Sequence, residues 1–352
     1  MKICIYADPH WSRYSSILKN RKDKYSVRLD NLIQSVNWVQ ELAKNNHCDK
    51  ILCLGDFFDR NNLLAEEIDA LKEIKWANIP QTFLVGNHEI VSTSDSYSST
   101  QLFTSMGFEV IGKNCIEITD DTLIAYIPYS TEENRESLSD CFDRVYNHYE
   151  YSFLPNKKII FSHNDIKGIQ YGKYESKIGY DLTEIEDNCD LFINGHLHNA
   201  GVLNDKGTII NLGNLTGQNF NEDGFNYQHY ACILDTETLQ LDYYVNPYAI
   251  YFYKITIEDE NDIYKLNSLN KNSVVEIRVI EHLINKVKEV LKNLDNIITY
   301  RTIVFASKNK QQEDTAQTNS FSIDYLDRLN DFCIDNIGNY DILKQELTEI
   351  CR

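Results

Sequence analysis

Short clusters of polar residues recur along this chain where apolar, strand-like runs end. In order they are Asp8-Pro9-His10, Gly55-Asp56-Phe57-Phe58-Asp59-Arg60, Gly86-Asn87-His88-Glu89, Ser162-His163 and Gly195-His196-Leu197-His198. Five of the nine histidines in the chain fall within these clusters. Packing gives no reason for carboxylates and imidazoles to collect at strand ends, whereas divalent metal ions bind both groups. The clusters therefore predict a metal site, and their number favours two ions.

The spacing within the first three clusters predicts which groups bind metal. Asp8 and His10 alternate as the chain leaves a strand, so both side chains can reach one ion. Asp56 can bridge two ions through its two carboxylate oxygens. Asn87 can place its amide oxygen on the second ion. Two ions about 4 Å apart would clamp a phosphate and activate water.

Three of the remaining histidines are expected to bind the ions, and the fourth is expected to act on the leaving group. His163 and His196 are expected to complete one ion, whereas His198, two residues further on, faces the other. His88 is too far along its cluster for a routine ligand. As imidazolium it would instead protonate the departing oxygen.

Polar neighbours of these ligands allow more than one role in the site. Asp59 and Arg60 are expected to form a pair that holds Asp56 or a nearby loop from behind; a direct phosphate contact by Arg60 is the alternative. Asn164 and Asp165 follow a predicted ligand, and capping of the loop is as good an explanation as metal binding.

The composition limits the classes of function. The chain has 352 residues and a formal net charge of −19, so at long range it repels polyanions such as DNA. Dications and a local basic patch can still hold a phosphate. No apolar run approaches the ~20 residues that a membrane span needs. The nine cysteines form no C-x-x-C pair, which is typical of a reduced, cytoplasmic protein.

Hydrophobic periodicity predicts the elements that position the clusters. Strands at 2–7, 50–54 and 81–85 alternate with helices at 28–44 and 65–75, a pattern typical of a parallel sheet covered by helices. A further helix is predicted at 132–149. About ten strands precede residue 246, too many for one open sheet. The predicted fold class is α/β (α+β), a two-sheet β-sandwich flanked by helices.

The composition changes after the last of these strands. Residues 1–246 are predicted to form the metal-binding domain and 247–306 a small β-β-α-β cap domain. Residues 307–320 are polar and are predicted to form a linker. Residues 321–352 show two amphipathic stripes, a predicted helical pair that either docks back on the chain or binds a partner.

Taken together, the five clusters resemble the calcineurin-like metallophosphoesterase signature D-x-H, G-D-x-x-D-R, G-N-H-[D/E], H, G-H-x-H over about residues 1–245. With the cap, the linker and the terminal helices, the chain is similar to SbcD-type nuclease subunits, particularly phage versions. That resemblance implies a dimeric, Mn²⁺-dependent nuclease with two divalent ions per chain. It implies action on DNA ends and single strands with an SbcC-like coiled-coil ATPase bound through the C-terminal helices, in a bacterial or phage-infected cytoplasm. In one departure, Asn211-Leu212-Gly213-Asn214 replaces the usual Gly-Ser turn.

A basic segment, residues 13–28, follows the first cluster. Its bases are Arg13, Lys19, Arg21, Lys22, Lys24 and Arg28, with aromatic residues interleaved. Bases bind phosphates and aromatic rings stack on unpaired bases, so the segment is a candidate DNA clamp; a solvated loop is the alternative. Lys173, after His163, is a candidate for the opposite lip of this clamp.

Three functions remain open on the sequence alone. The leading one is a DNA nuclease subunit that works with an ATPase. A small-molecule or protein phosphoesterase would use the same metals but has no need of the cap, the tail or the basic segment. A catalytically idle assembly subunit is the third, and it leaves the complete set of ligands unexplained.

Overall fold

The computed structural model describes residues 1–21, 23–91, 98–119, 122–146, 155, 157–171 and 174–305. The chain divides into two units, Met1–Ala306 and Ser307–Arg352, and every described residue belongs to the first. The predicted linker and terminal helices lie outside the described residues, as do Lys22 and Lys173. No helix in the described part is long and apolar enough to cross a membrane.

One sheet contains six strands: β1 (Lys2–Tyr6), β2 (Lys50–Cys53), β3 (Gln81–Leu84), β4 (Glu109–Ile111), β13 (Tyr230–Asp235) and β14 (Leu241–Val245). Their order is β14-β13-β1-β2-β3-β4. The strands β1 to β4 are parallel, while β13 runs antiparallel to β1 and β14 antiparallel to β13. The parallel part is the β-α-β-α-β region that the periodicity predicts.

A second sheet also has six strands: β5 (Cys115–Ile118), β6 (Thr122–Ile127), β7 (Lys157–Ser162), β10 (Leu191–Asn194), β11 (Gly201–Val202) and β12 (Ile209–Asn211). Their order is β11-β12-β10-β7-β6-β5, with β6, β7, β10 and β12 parallel. Two short strands, β8 (Gln170–Tyr171) and β9 (Tyr174–Glu175), form a hairpin outside the sheet.

The two sheets pack face to face, and helices cover their outer faces. The helices are α1 (Val27–Asn45), α2 (Ala65–Ala70), α3 (Gln101–Ser105), α4 (Leu138–Tyr146) and α5 (Leu182–Asn188). Alternation along β1 shows the layering: Ile3 and Ile5 join the core between the sheets, whereas Cys4 and Tyr6 join the core beneath α1. A third core lies between the second sheet and α4 and α5. The predicted fold class, a two-sheet sandwich flanked by helices, is confirmed.

A separate sheet of three parallel strands follows: β15 (Tyr251–Ile257), β16 (Ser273–Ile280) and β17 (Ile297–Phe305). It has its own apolar core. The strands and the α-helix follow the predicted β-β-α-β order, and a 3₁₀ helix that the prediction lacks, Glu260–Ser268, connects the first two strands. Parallel neighbours need such a crossover, and Asp259 caps this one through the backbone amides of Asn261 and Asp262. The second crossover contains α6 (Ile284–Leu291). A domain boundary at residue 246 stays a prediction.

Two predicted helices are shorter than the periodicity indicates. The helix predicted at 65–75 ends at Ala70 and continues as a single 3₁₀ turn, because the Asn37 side chain of α1 binds the carbonyl of Glu73 and the amide of Lys75. The helix predicted at 132–149 begins only at Leu138, whose amide donates to Glu184 of α5. The helices α3 and α5 are absent from the prediction.

Candidate metal centre

The predicted ligands follow the carboxyl ends of parallel strands in both sheets. The residues after β1, β2, β3, β7 and β10, in that order, are Asp8 and His10; Asp56; Asn87 and His88; His163; and His196 and His198. Loops at the carboxyl ends of parallel strands share one edge of a sheet, which is where ligands bind in α/β proteins. The topology therefore brings segments that are distant in sequence to one place.

Four of these residues have left-handed backbone conformations. Their φ angles are 49° at Asp8, 49° at His10, 46° at Asp56 and 69° at His196. A non-glycine residue in this region costs on the order of 1–3 kcal/mol and persists where surrounding structure enforces it. The concentration of such residues in the polar clusters is typical of a functional site.

One group of ligand atoms comes from Asp8, His10 and His198. The Nε2 atoms of His10 and His198 are 3.0 Å apart. Nε2 of His10 also lies 3.9 Å from Oδ1 of Asp8 and 4.0 Å from Oδ2 of Asp56. We call this group the first position.

A second group comes from Asp56, His163 and His196. Nε2 of His163 lies 3.2 Å from Oδ2 of Asp56 and 3.2 Å from Oδ1 of Asn87. Nδ1 of His196 lies 3.1 Å from the same Asn87 oxygen. We call this group the second position. Asp56 faces both positions through one oxygen, Oδ2. It does not use two oxygens as predicted, because Oδ1 accepts a hydrogen bond from the His88 amide.

The ring nitrogen of each histidine that faces away from these groups has an acceptor beside it. Nδ1 of His198 lies 3.2 Å from Oε1 of Glu222, and Nε2 of His196 lies 3.3 Å from Oδ1 of Asp165. Nδ1 of His163 donates to the Leu54 carbonyl at 2.7 Å. Nδ1 of His10 lies 3.5 Å from Oδ1 of Asp59, a charge contact outside hydrogen-bond geometry. Metal-binding histidines almost always have such partners, which set the tautomer and the ring orientation.

The donor set fits divalent ions. Asp8 is fully buried, and no donor among the described residues reaches its Oδ1 atom. Burial opposes ionisation of Asp56, but the charge and hydrogen bond of His163 outweigh it and hold the pKa of the carboxyl well below its usual range. Without a metal, a protonated His163 balances the charge of Asp56; with neutral imidazoles, a divalent cation would take over that role. Carboxylate, amide and imidazole groups together suit Mn²⁺, Fe²⁺ or Zn²⁺.

His88 differs from the other histidines of the site. Its side chain is 40% exposed, and its Nε2 atom lies 4.0 Å from Oδ2 of Asp56. Its Nδ1 atom is 2.9 Å from the backbone carbonyl of Asp59. A carbonyl only accepts, so Nδ1 carries hydrogen and Nε2 is the nitrogen free to exchange a proton at the open side of the site.

Asp59 and Arg60 do not hold the site as the predicted pair. Arg60 binds Glu67, a fully buried carboxylate that needs a cationic partner. Asp59 instead lies beside His10 and accepts a hydrogen bond of 2.5 Å from Gln218. The predicted pairing of Asp59 with Arg60 is therefore wrong, and the Asp59 side chain lies behind His10 where the prediction placed it behind Asp56 or a nearby loop.

Acidic residues outside the basic segment form ion pairs with two of its bases. Arg21 pairs with Glu66 at 3.0 Å, and Lys24 pairs with Asp69 and Glu73, each at 3.0 Å. The other bases of the segment that the structure describes are Arg13, which stacks on the Tyr14 ring, Lys19, which is exposed, and Arg28, which is fully buried. Contact with DNA stays a prediction for Arg13, Lys19, Arg21, Lys22, Lys24 and Lys173. The ion pairs of Arg21 and Lys24 reduce the positive charge that the segment can offer to phosphates.

Two carboxylates outside the predicted ligand set lie behind ligand histidines, and one of them, Glu222, has no signal in the sequence. Glu222, whose side chain is 6% exposed, lies in the irregular connection between β12 and β13 and reaches back to His198. The side chain of Asp165 contacts His196, while its backbone carbonyl accepts from the Tyr180 amide, so the choice between loop capping and metal binding stays open. Asn164 does cap the loop, since its amide donates to the carbonyls of Ile127 and Pro128.

Gly86 is a position where any side chain would displace a ligand. A Cβ atom there would lie 2.1 Å from Oδ1 of Asp56. We therefore expect Gly86→Ala to lower metal content measured by mass spectrometry and to abolish hydrolysis. Gly112→Ala is the matched control, because its Cβ would meet only Val85 Cγ2, at 3.6 Å. Full metal content in Gly86→Ala would show that Asp56 is not a ligand.

A family model described as Calcineurin-like phosphoesterase matches residues 1–200, which include every predicted ligand. No curated protein matches the sequence. Among solved structures, a dimetal phosphatase from Danio rerio is 13% identical, with 66% of this chain and 91% of that chain covered and a TM-score of 0.37. The calcineurin-like phosphoesterase YfkN from Bacillus subtilis is 12% identical over 70% and 88% of the two chains, with a TM-score of 0.37. A metallophosphoesterase from Sphaerobacter thermophilus is 13% identical over 70% and 88%, with a TM-score of 0.30.

Proposed function

The chain belongs to the calcineurin-like phosphoesterase family, and on this premise we propose that it hydrolyses phosphoesters at a dinuclear metal centre. The observation that carries the proposal is the convergence of seven predicted ligands into two positions with Asp56 between them. An outward acceptor beside each ligand histidine adds to it. His88 joins His10 and Asp56 in a third, overlapping group.

The side chains of the site have different roles in such a reaction. Two bound divalent ions would supply Lewis acidity and a nucleophile derived from water at neutral pH. Asp8, His10 and His198 would hold one ion, and Asn87, His163 and His196 the other, with Asp56 shared. His88 would donate a proton from Nε2 to the leaving-group oxygen, while the Asp59 carbonyl holds its ring in place.

Within this class we propose a Mn²⁺-dependent DNA exonuclease or endonuclease that acts with an SbcC-like ATPase in recombination, repair or replication. Support comes from the order of the five clusters, from the three-stranded sheet that follows them, and from the amphipathic pattern of 321–352. We propose that the chain is a homodimer and that the 321–352 segment binds the ATPase.

One observation favours a small phosphorylated substrate instead. The chain carries a net charge of −19, and Arg21 and Lys24 of the basic segment already have carboxylate partners. A small ester needs only the metal centre for binding. DNA also needs cationic side chains that contact the phosphates along its backbone.

The choice between these substrates can be tested with the full chain. Purified protein loaded with Mn²⁺ is incubated with single-stranded DNA, with blunt duplex DNA, with an aryl phosphodiester and with an aryl phosphomonoester. Cleavage of DNA and the diester supports the nuclease. Hydrolysis of the monoester alone supports the phosphatase alternative. Failure on all four, with two metals bound, would indicate an assembly subunit without catalytic activity.

The partner proposal predicts a separable tail. A chain that ends at Ser320 is expected to keep basal hydrolysis but lose association with the coiled-coil ATPase from the same genome, because the polar residues before 321 offer little to pack. Co-purification of tagged full-length and truncated chains measures this. Undiminished association of the truncated chain would place the binding surface elsewhere.

A further inference from the structure

The connection between β12 and β13 contacts the first position. Within this connection, residues 213–224 (the site loop) carry Gln218 and Glu222. Glu222 lies 3.2 Å from Nδ1 of His198, and Gln218 donates to Asp59, the carboxylate beside His10. The site loop thus contacts His198 directly and His10 through Asp59.

The other side of the site loop is bound to the three-stranded sheet. The amide of Gly217 donates to the Ile250 carbonyl at 2.9 Å, and that of Gly224 to the Phe252 carbonyl at 3.2 Å. The Phe220 ring packs edge-on against Phe252, with ring centroids 5.2 Å apart. Leu18 and Val274 complete this buried apolar contact. The site loop also binds the main domain, since the amide of Leu215 donates to the Ala7 carbonyl and that of Asn214 to the His198 carbonyl. It therefore links the sheet to the first position.

The approach is close enough to leave no space for a side chain. A Cβ atom at Gly224 would lie 2.7 Å from the Phe252 carbonyl oxygen, which cannot move without the strand. Arg28 adds a buried connection, since its guanidinium donates to the carbonyls of Gly217 and Pro9, the latter next to His10. Movement of the sheet would thus be transmitted to both histidines of the first position.

The second position is supported differently. His163 donates to the carbonyl of Leu54, at the end of β2, and His196 lies beside Asp165, which follows β7. Both partners belong to the two large sheets and their adjoining loops. In the described part of the chain, these outward contacts involve neither the site loop nor the three-stranded sheet.

We propose that the three-stranded sheet controls the metal affinity of the first position through the site loop and leaves the second position unaffected. This inference rests on the proposed function, since it takes the two positions as metal sites. A substrate or partner that shifts the sheet would then load or unload one ion of the pair and switch hydrolysis on or off.

The test measures Mn²⁺ binding rather than turnover. Free Mn²⁺ is followed by electron paramagnetic resonance during titration of the full chain, and bound metal is counted by mass spectrometry. Glu222→Gln and Gly224→Ala are each expected to keep one tight site and to weaken the other by about 10–100-fold, the usual effect of losing a partner behind a metal ligand. Gly201→Ala, whose Cβ would meet nothing within 4 Å, is the matched control.

Double variants identify which position is weakened. Asp165→Asn should weaken the second position, so its combination with Glu222→Gln should weaken both sites. Glu222→Gln combined with Gly224→Ala should affect one site only, because both changes act on the same position. Thermal melting followed by circular dichroism checks folding; if Gly224→Ala is unfolded, Phe252→Leu replaces it.

The outcomes separate the two proposals. If Gly224→Ala or Phe252→Leu binds two Mn²⁺ ions as tightly as the unmodified chain, or weakens both sites equally, the inference is overturned. If the unmodified chain itself binds fewer than two ions, the proposed dinuclear centre fails instead.

Discussion

Replacing Asp56 with alanine is expected to remove the metal pair and reduce hydrolysis to background. Asp56 is buried and has one oxygen 3.2 Å from Nε2 of His163 and 4.0 Å from Nε2 of His10, so it is the residue shared by both positions. Metal catalysis contributes several kcal/mol to stabilisation of the transition state. Each 1.4 kcal/mol is a factor of ten, so the rate should fall by about 10³-fold or more.

Metal content and turnover must be measured on the same sample. Asp187→Ala is the matched control, because Asp187 is an exposed aspartate on α5, outside the site. It should bind both ions and hydrolyse substrate normally. Two tightly bound ions in Asp56→Ala would show that Asp56 does not bridge them, and the assignment of the two positions would have to be redrawn.

Replacing His88 with alanine is expected to leave both metals bound and to lower turnover by about 10²–10⁴-fold, the usual effect of removing a general acid. His88 is the exposed histidine of the group and is held by the backbone carbonyl of Asp59. Its loss should therefore remove a proton donor and no ligand. The loss should be largest for an alkoxide leaving group, which needs the proton, and small for a nitrophenolate, which does not.

The leaving-group dependence separates this role from metal binding. His282→Ala is the control, since His282 is exposed in the three-stranded sheet region. An emptied metal position in His88→Ala would make His88 a ligand. An equal loss for alkoxide and nitrophenolate esters would argue that His88 binds substrate and does not protonate it.

The hydrophobic pattern determined the architecture of the main domain. In β1, Ile3 and Ile5 alternate with Cys4 and Tyr6, and this two-residue period places one set between the sheets and the other beneath α1. The polar clusters at strand ends followed from the same pattern, because parallel strands bring their carboxyl ends to one edge. Local order in the sequence was therefore enough to identify both the fold class and the residues that converge.

Helix ends were less predictable, because side chains from other elements decide them. The helix predicted at 65–75 ends early because Asn37 of α1 binds the backbone of Glu73 and Lys75. The helix predicted at 132–149 begins late, where Glu184 of α5 accepts from the Leu138 amide. Neither partner is near its helix in sequence, so hydrophobic periodicity carries no information about these boundaries.

Only the tertiary structure decided which polar groups stand behind the ligands and which charges are already paired. His198 contacts Glu222, 24 residues further along the chain, and Arg28 contacts Gly217, 189 residues further along. Arg21, a candidate for DNA contact, instead meets Glu66, 45 residues away. Helices and strands follow from periodic patterns that are visible in the local sequence. Contacts between loops depend on how the helices and strands pack, so no local pattern predicts those contacts.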